Sequence, residues 1–184
     1  MPSARPELTL KTFELIGKRY PDLALCVSTN GLNLAAHAAA LRDLGVDFVT
    51  ITINAIDPRI GVKLVKSVSA DGETIHGTAG AKLLIERQMS AVDTLLAQGV
   101  TVKINTVIIP GINDDHSLFI AKRFGAMGVD LMNLIPLIPV RGTEMEDVTP
   151  PSPRLMAHLR KAAGSYIPQM LHCKRCRSDA LGCL

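Results

Sequence analysis

A Cys-x-x-Cys pair near the carboxyl end carries the clearest metal-binding signal in this 184-residue sequence. Cys173 and Cys176 are spaced so that both thiolates can bind one metal ion or cluster, and thiolates favour zinc or iron–sulfur centres. Lys174, Arg175 and Arg177 would stabilise the thiolate forms and offset the negative charge of such a centre. The pattern therefore predicts a metal or cluster site in the carboxyl-terminal tail.

Two other interpretations of these cysteines are a zinc knot and a redox pair. His172, Cys173, Cys176 and Cys183 can form a small zinc knot, although the second Cys-x-x-Cys of a zinc ribbon is missing. A thioredoxin-like redox pair is disfavoured because the pair follows a predicted helix instead of opening a helix after a strand. Cys26 lies alone in an apolar segment, where a small buried hydrophobe is the default interpretation.

Uncharged polar residues interrupt the apolar strand segments near their carboxyl ends, namely Thr29, Thr52, Asn54 and Asn105. Taken singly, each is best explained by a hydrogen bond to neighbouring main chain. Because the carboxyl ends of parallel strands meet at one edge of a sheet, the set predicts a site for a zwitterionic ligand with ribose hydroxyls. No acidic pair, nucleophile elbow or Gly-rich phosphate loop follows a strand, which disfavours hydrolytic and nucleotide-triphosphate chemistry.

Charge and hydropathy exclude several classes of protein. The 20 basic and 17 acidic residues give a formal charge of +3 and are dispersed, so we expect neither nucleic acid nor a membrane as a partner. No apolar run approaches the ~18 residues of a membrane span, and the first residues lack the apolar core of a signal peptide. We therefore expect a cytoplasmic protein with reduced or metal-bound cysteines.

A repeated alternation of strand and helix positions these residues. It is typical of an α/β fold with a parallel sheet, here four strands in chain order with helices on one side. The predicted strands are Leu23–Ser28, Phe48–Ile53, Val102–Ile109 and Leu131–Ile138. The predicted helices are Leu10–Arg19, Asn33–Leu44, Asp57 to about Val68, a long helix ending at Gln98, His116–Met127 and Pro153–Gly164, with a loop over residues 69–80.

The segments LCVSTNG, TITINAIDP, VKINTVIIPGIND and HCKRCRSDALG resemble the radical S-adenosylmethionine (SAM) superfamily, in particular its members that build the nitrogenase cofactor. The resemblance implies a partial parallel (β/α) barrel lacking the first strands, formed by residues 1–139, with residues 140–184 as the carboxyl-terminal helix and Cys-bearing tail of the same domain. It also implies [4Fe-4S] clusters and SAM as cofactors. Thr52 and Ile104 would contact SAM, with Asn54 and Asn105 nearby, and Cys173 and Cys176 would hold a substrate cluster within reach of Cys26.

The resemblance further implies a lyase- or transferase-type cofactor synthase. Reductive cleavage of SAM would give a 5′-deoxyadenosyl radical, and two [4Fe-4S] clusters would be fused, with a carbide from a SAM methyl group, into an eight-iron cofactor precursor. The implied partners are cluster donors and cofactor carriers of nitrogenase assembly. The sequence has no Cys-x3-Cys-x2-Cys motif, so we expect the isolated chain to be inactive in SAM cleavage. A non-catalytic zinc- or cluster-binding β/α scaffold and another radical SAM protein with an accessory cluster are the alternatives.

Overall fold

The computed structural model describes residues 5–170, which are organised around a parallel sheet. Its strands are β1 (Leu25–Thr29), β2 (Val46–Thr52), β5 (Thr101–Ile108) and β6 (Leu131–Pro136), and a separate hairpin is formed by β3 (Ser67–Ala70) and β4 (Glu73–His76). The four strands of the sheet pair in the order β1, β2, β5, β6, and every pair is parallel. The predicted four-stranded parallel sheet is therefore confirmed.

Helices connect the strands and cover one face of the sheet. They are α1 (Pro6–Arg19), α2 (Ala38–Asp43), α3 (Pro58–Gly61), α4 (Gly77–Ala97), α5 (His116–Met127) and α6 (Pro153–Ala163), with a short 3₁₀ helix at Ala35–His37. Apolar positions of α4, α5 and α6, such as Leu95, Phe124 and Leu159, pack into one cluster with the strands. None of these described helices is long and apolar enough to cross a membrane.

The core lies between those helices and one face of the sheet. Ile51, Ile104 and Leu134 come from three adjacent strands and are fully buried in this cluster. The side chains that alternate with them point to the other face, because successive residues of a strand project in opposite directions. The sheet therefore has an aliphatic face that carries the core and a second face that is free to line a site.

The hairpin replaces a region that was predicted as the end of a helix and a loop. The helix after Asp57 is only α3, and Val68, its predicted end, lies in β3. Asp71 and Gly72 both have positive φ angles, which suits the two central residues of a tight hairpin turn. The predictions of a helix to about Val68 and of a loop over residues 69–80 are therefore wrong, because an Asp-Gly turn closes two short strands there.

Smaller differences concern helix starts. Asn33 does not cap a helix, because the 3₁₀ helix follows Leu34 and α2 begins only at Ala38. The predicted cap at Asp57 is confirmed, since its carboxylate accepts a hydrogen bond from the Arg59 N–H at 2.8 Å. The long helix ends as predicted, with Gln98 as its C-cap residue.

The segment after α6 returns to the sheet. The Met132 N–H donates to the Pro168 carbonyl at 2.9 Å, and the Met170 N–H donates to the Met132 carbonyl at 2.9 Å. The resulting bridge between Met132 and Gln169 is parallel. The last described residues therefore run alongside β6 in the direction of its carboxyl end.

Candidate functional site

A large open groove lies over the face of the sheet that the core does not use. Its volume is about 1330 Å³, which exceeds the several hundred Å³ typical of a site for one small molecule. Strand-end residues, the hairpin and the segment after β6 form its walls. The lining residues include Cys26, Ser28, Thr29, Asn30, Thr52, Asn54, Val65, Ser67, Val68, Ser69, Leu84, Gln88, Asn105, Val107, Ile135, Pro136, Leu137, Ile138 and Val140.

Strand alternation brings most of the predicted ligand residues to this groove. Thr52 and Asn105 are register partners on β2 and β5, and both line the groove together with Asn54. Thr29 also lines the groove, but its Oγ1 accepts a hydrogen bond from the Gly31 N–H at 3.1 Å. The structure thus assembles these four residues on one concave surface, and their contact with a ligand stays a prediction.

Ile104 differs from the other predicted ligand residues. Its side chain is fully buried and belongs to the core cluster. It lies one residue before Asn105, so the two side chains occupy opposite faces of β5. The structure does not bring the Ile104 side chain to the groove, which leaves Asn105 as the β5 side chain at this level.

The thiol of Cys26 lies on the groove side of the first strand. Cys26 is exposed, and the expectation of a small buried hydrophobe at this position is therefore wrong. Among residues 5–170 it is accompanied by no group of three or more His, Cys, Asp or Glu side chains that could hold a metal ion. Cys173 and Cys176, predicted as metal ligands, lie outside the described residues.

Asn54 is held in one orientation by main-chain groups. Its Oδ1 accepts a hydrogen bond from the Val107 N–H at 2.9 Å. Because a backbone N–H can only donate, the amide oxygen must face Val107 and the Nδ2 group must take the other direction. The side chain thus offers hydrogen-bond donors at the groove wall.

Asn113 fixes the same region from behind. Its Nδ2 donates to the carbonyls of Asn54 at 3.0 Å and Val107 at 2.8 Å, and its Oδ1 accepts from the Ile109 N–H at 2.8 Å. Asn113 is fully buried. It therefore ties the end of β5 to the segment after β2, and the Thr106 hydroxyl reinforces this junction by donating to the Ile53 carbonyl at 2.7 Å.

His116 joins this arrangement, although the sequence suggested no role for it. Its Nε2 accepts a hydrogen bond from the Ile56 N–H at 3.0 Å, and its ring stacks on Phe119. Burial lowers the pKa of His116, and the nearby Asp57 carboxylate opposes this shift. The hydrogen bonds from Arg59 in turn lower the pKa of Asp57 to about 2. His116 is therefore held neutral beside an ionised Asp57.

Gln88 closes the groove on the side of α4. Its Nε2 donates to the carbonyl of Asn30 at 2.7 Å and to that of Thr52 at 3.0 Å, so it links the ends of β1 and β2. Only 4% of the residue is exposed.

Sequence reasoning missed Gln88, Asn113 and His116 because their hydrogen-bond partners are distant in sequence. The partners are Asn30 for Gln88, Asn54 for Asn113 and Ile56 for His116, and they lie 58 to 60 residues away. The one available signal was the presence of an amide on the apolar side of α4.

Comparison with known families gives a match over most of the chain. The model of the radical SAM superfamily matches residues 1–124. The chain is 40% identical over 181 residues to the FeMo cofactor biosynthesis protein NifB of Chlorobaculum tepidum, covering 98% of this chain and 43% of that protein. It is 42% identical to NifB of Klebsiella pneumoniae, covering 100% of this chain and 40% of that protein. NifB of Methanocaldococcus jannaschii is 40% identical, with 95% and 57% covered. The chain thus spans about two fifths to three fifths of the length of these relatives.

Among solved structures, the chain is similar to the radical SAM methyltransferase TsrM from Kitasatospora setae, which was solved with tryptophan and a SAM analogue bound. The TM-score is 0.54 at 18% sequence identity, and the match covers 78% of this chain and 26% of TsrM. At this identity the likeness concerns the fold alone. It agrees with a partial α/β barrel built from parallel strands.

Proposed function

Because this chain belongs to the radical SAM superfamily, we propose that its groove binds SAM and that the protein acts in FeMo-cofactor biosynthesis as its NifB relatives do. The observation that supports this best is the set of uncharged polar side chains gathered at the strand ends over one open groove. Radical SAM proteins use a [4Fe-4S] cluster together with SAM. In that combination SAM supplies an organic radical and, in the proposed reaction, a methyl group.

The lining of the groove suits SAM by its chemistry. Among the described residues that line it, the polar ones are hydroxyls, amides and one thiol, and none is an acid or a base. Ligand sites of this kind combine apolar surface with a few placed polar groups. Here Thr52, Asn54 and Asn105 supply the polar part, whereas Ile135 and Leu137 supply apolar surface against which a flat base can pack.

Each strand-end residue has a separate task in this proposal. The Asn54 amide donates to the ligand from its Nδ2 side, while Thr52 and Asn105 line the adjacent strands. Thr29 keeps its hydroxyl in the turn to Gly31 and thereby shapes the end of β1. Ile104 acts indirectly, because its buried side chain anchors the part of β5 that carries Asn105.

Residues 5–170 do not by themselves fit an iron–sulfur cluster, since they contain one cysteine and no metal-binding group of three or more His, Cys, Asp or Glu residues. We propose that Cys173 and Cys176 supply further thiolates and that Cys26 faces the same cluster. Two observations support this proposal. Cys26 is exposed in the groove, and the segment ending at Met170 runs beside β6 toward the end of the sheet where the groove lies.

The proposed reaction of the full enzyme is the fusion of two [4Fe-4S] clusters, with a carbide from a SAM methyl group, into an eight-iron cofactor precursor. The proposed partners are the proteins that donate clusters and carry the product during nitrogenase assembly, in the cytoplasm. Support for this reaction comes from the 40% to 42% identity to the three NifB proteins named above. The purified chain, supplied with clusters, SAM and reductant, is expected to form none of this precursor, because its sequence has no Cys-x3-Cys-x2-Cys motif. Formation of the precursor under these conditions would contradict the expected inactivity.

Ligand binding is tested with a matched pair of variants on one strand. Thr52 and Thr50 share a face of β2, but only Thr52 lines the groove. We expect Thr52→Val to weaken the binding of S-adenosylhomocysteine, measured by calorimetry, by about 3- to 10-fold, the usual range for a lost neutral hydrogen bond. Thr50→Val should leave the affinity unchanged. Equal affinity of all three proteins would remove Thr52 from the site, and no binding to any of them would refute the SAM groove.

The cluster proposal is tested by iron content after anaerobic reconstitution. Replacing Cys26 by Ala should lower the bound iron and alter the absorption of the cluster, as should replacing Cys173 or Cys176. Cys183→Ala serves as the control, because Cys183 has no part in the proposed cluster. Zinc in place of iron, lost in Cys183→Ala and kept in Cys26→Ala, would instead establish the zinc knot in the tail.

A further inference from the structure

We propose that Gln88 is a ligand-binding residue whose Oε1 accepts a hydrogen bond from an uncharged hydroxyl of the groove ligand. This inference rests on the proposed binding of SAM, which carries two ribose hydroxyls. Gln88 belongs to α4, whose other side chain in this wall is the apolar Leu84. Its amide is the polar group of α4 that lines the groove.

The orientation of the Gln88 amide follows from its partners. Nε2 carries two hydrogens, and its two bonds go to the carbonyls of Asn30 and Thr52, which can only accept. A flipped amide would place Oε1 against two carbonyl oxygens, so the assignment of oxygen and nitrogen is fixed by chemistry. With both donors used on main chain, Oε1 is the atom that Gln88 can offer to a ligand.

The neighbouring turn keeps the side chain in place. Gly31 has a φ of +82°, and a Cβ there would lie 2.9 Å from Ile51 Cγ2 and 3.1 Å from Gln88 Cγ. The turn therefore packs directly on the Gln88 stem and leaves little room for another rotamer. This close packing, together with the two hydrogen bonds, makes Oε1 a fixed acceptor at the junction of β1 and β2.

The charges of the side chains that line the groove indicate which ligand group can donate to the Gln88 Oε1 atom. An ammonium group leaving water needs a carboxylate or several strong acceptors, whereas a hydroxyl is satisfied by one or two neutral partners. No acidic side chain is among the described residues that line the groove. A hydroxyl is therefore the better match. Asn54 presents hydrogen-bond donors on the neighbouring wall and therefore complements the Gln88 acceptor.

The test measures the binding of two nucleosides and of S-adenosylhomocysteine to two Gln88 variants and one control variant. The nucleosides are 5′-methylthioadenosine and its 2′,3′-dideoxy analogue, and the affinity ratio between them measures what the hydroxyls contribute in each protein. Gln88→Met removes both the donors and the acceptor. Gln88→Glu keeps an acceptor oxygen but weakens the link to the two carbonyls. Gln98→Met, at the C-cap of the same helix and outside the groove lining, controls for general effects on α4.

We expect the affinity ratio to fall by about 3- to 10-fold in Gln88→Met and to stay near the wild-type value in Gln88→Glu and Gln98→Met. A purely structural Gln88 would weaken both ligands equally, so an unchanged ratio in Gln88→Met overturns the proposal. Equal loss of the ratio in Gln88→Glu overturns it as well. If Gln88→Met instead weakens only S-adenosylhomocysteine, the acceptor serves an ammonium group and the hydroxyl assignment is wrong. Wild-type protein that binds none of these ligands refutes the proposed function itself.

Discussion

The two faces of the sheet differ in chemistry although they are built from the same strands. On one face Val49, Ile51 and Val102 are at most 1% exposed and pack on the helices. On the other face Thr52, Asn54 and Asn105 line an open groove. The aliphatic face provides the burial that stabilises the fold, so the polar face is free to hold a ligand. Alternation along each strand allows both tasks within single segments of the sequence.

The largest expected effect of this division is on stability. Ile104→Ala removes a fully buried side chain from the core face and should lower the free energy of unfolding by about 2–5 kcal/mol. Val107→Ala, on the groove face of the same strand, should cost less because Val107 is only partly buried. Urea denaturation of the two variants measures the difference. Equal losses would contradict the assignment of stability to one face.

A smaller loss of stability is expected when Asn113, which binds three main-chain groups behind the groove, is replaced. Asn113→Ala leaves the Asn54 and Val107 carbonyls and the Ile109 N–H without their shared partner, which should cost about 1–3 kcal/mol for unsatisfied buried groups. Asp115→Ala, two residues away and exposed, is the control. Urea denaturation is again the measurement. If Asn113→Ala is as stable as the control variant, the hydrogen bonds of Asn113 do not contribute to the free energy of unfolding.

A third prediction concerns the pH dependence of stability near the groove. Burial lowers the pKa of His116 in the folded protein below the ordinary 6.5, so the unfolded chain binds a proton more readily. Stability therefore rises with pH in this window, and it falls as the pH is lowered from 7 through 6.5 toward the folded pKa. His116→Gln keeps an acceptor for the Ile56 N–H and should flatten this slope in thermal unfolding between pH 7 and 5.

The control for this slope is His76→Gln, which changes an exposed histidine of the hairpin. We expect its pH profile to follow that of the wild-type protein. A His116→Gln profile that is as steep as the wild-type profile would show that other groups cause the loss of stability in acid.

The smallest effect is expected for the ion pair between Lys66 and Glu144, which joins the hairpin to the segment after β6. Their side chains are 77% and 59% exposed, so solvent and salt screen the attraction. Lys66→Ala should therefore lower the free energy of unfolding by at most about 1 kcal/mol, as judged by urea denaturation. A larger loss would contradict the expectation that solvent and salt screen this ion pair.

The sheet was predictable because its signals are local. Apolar runs bounded by turn residues give the four strands, and the helices between them dictate parallel pairing. The same alternation predicted that Thr52 at the end of β2 and Asn54 just after it share one side, and both line the groove. The hairpin was missed because only Val68 and Ala70 are buried in β3, a pattern too short to stand out, although the Asp-Gly turn was visible.

The hydrogen-bonded frame of the groove was not predictable from one sequence. The bond from Gln88 to the Asn30 carbonyl and that from Ile56 to His116 join residues 58 and 60 positions apart. Such pairs arise from how α4 and α5 dock on the sheet, and no local pattern reports that docking. Cys26 was expected to be buried because a lone strand cysteine usually is. It is exposed because it lies on the groove face of β1, which in the described part of the chain pairs on one side only.

Between residues 5 and 170, the side chains that line the groove include no Asp, Glu, His, Lys or Arg, so this part of the wall holds its ligand through fixed dipoles. The strength of such contacts depends little on ionic strength, because these residues form no ion pair with the ligand for salt to screen. The side chains in this described part of the wall are therefore apolar groups, hydroxyls, amides and one thiol. The affinity for a neutral nucleoside should therefore change little between about 50 mM and about 500 mM salt. The stability of the fold, in contrast, depends on pH through His116.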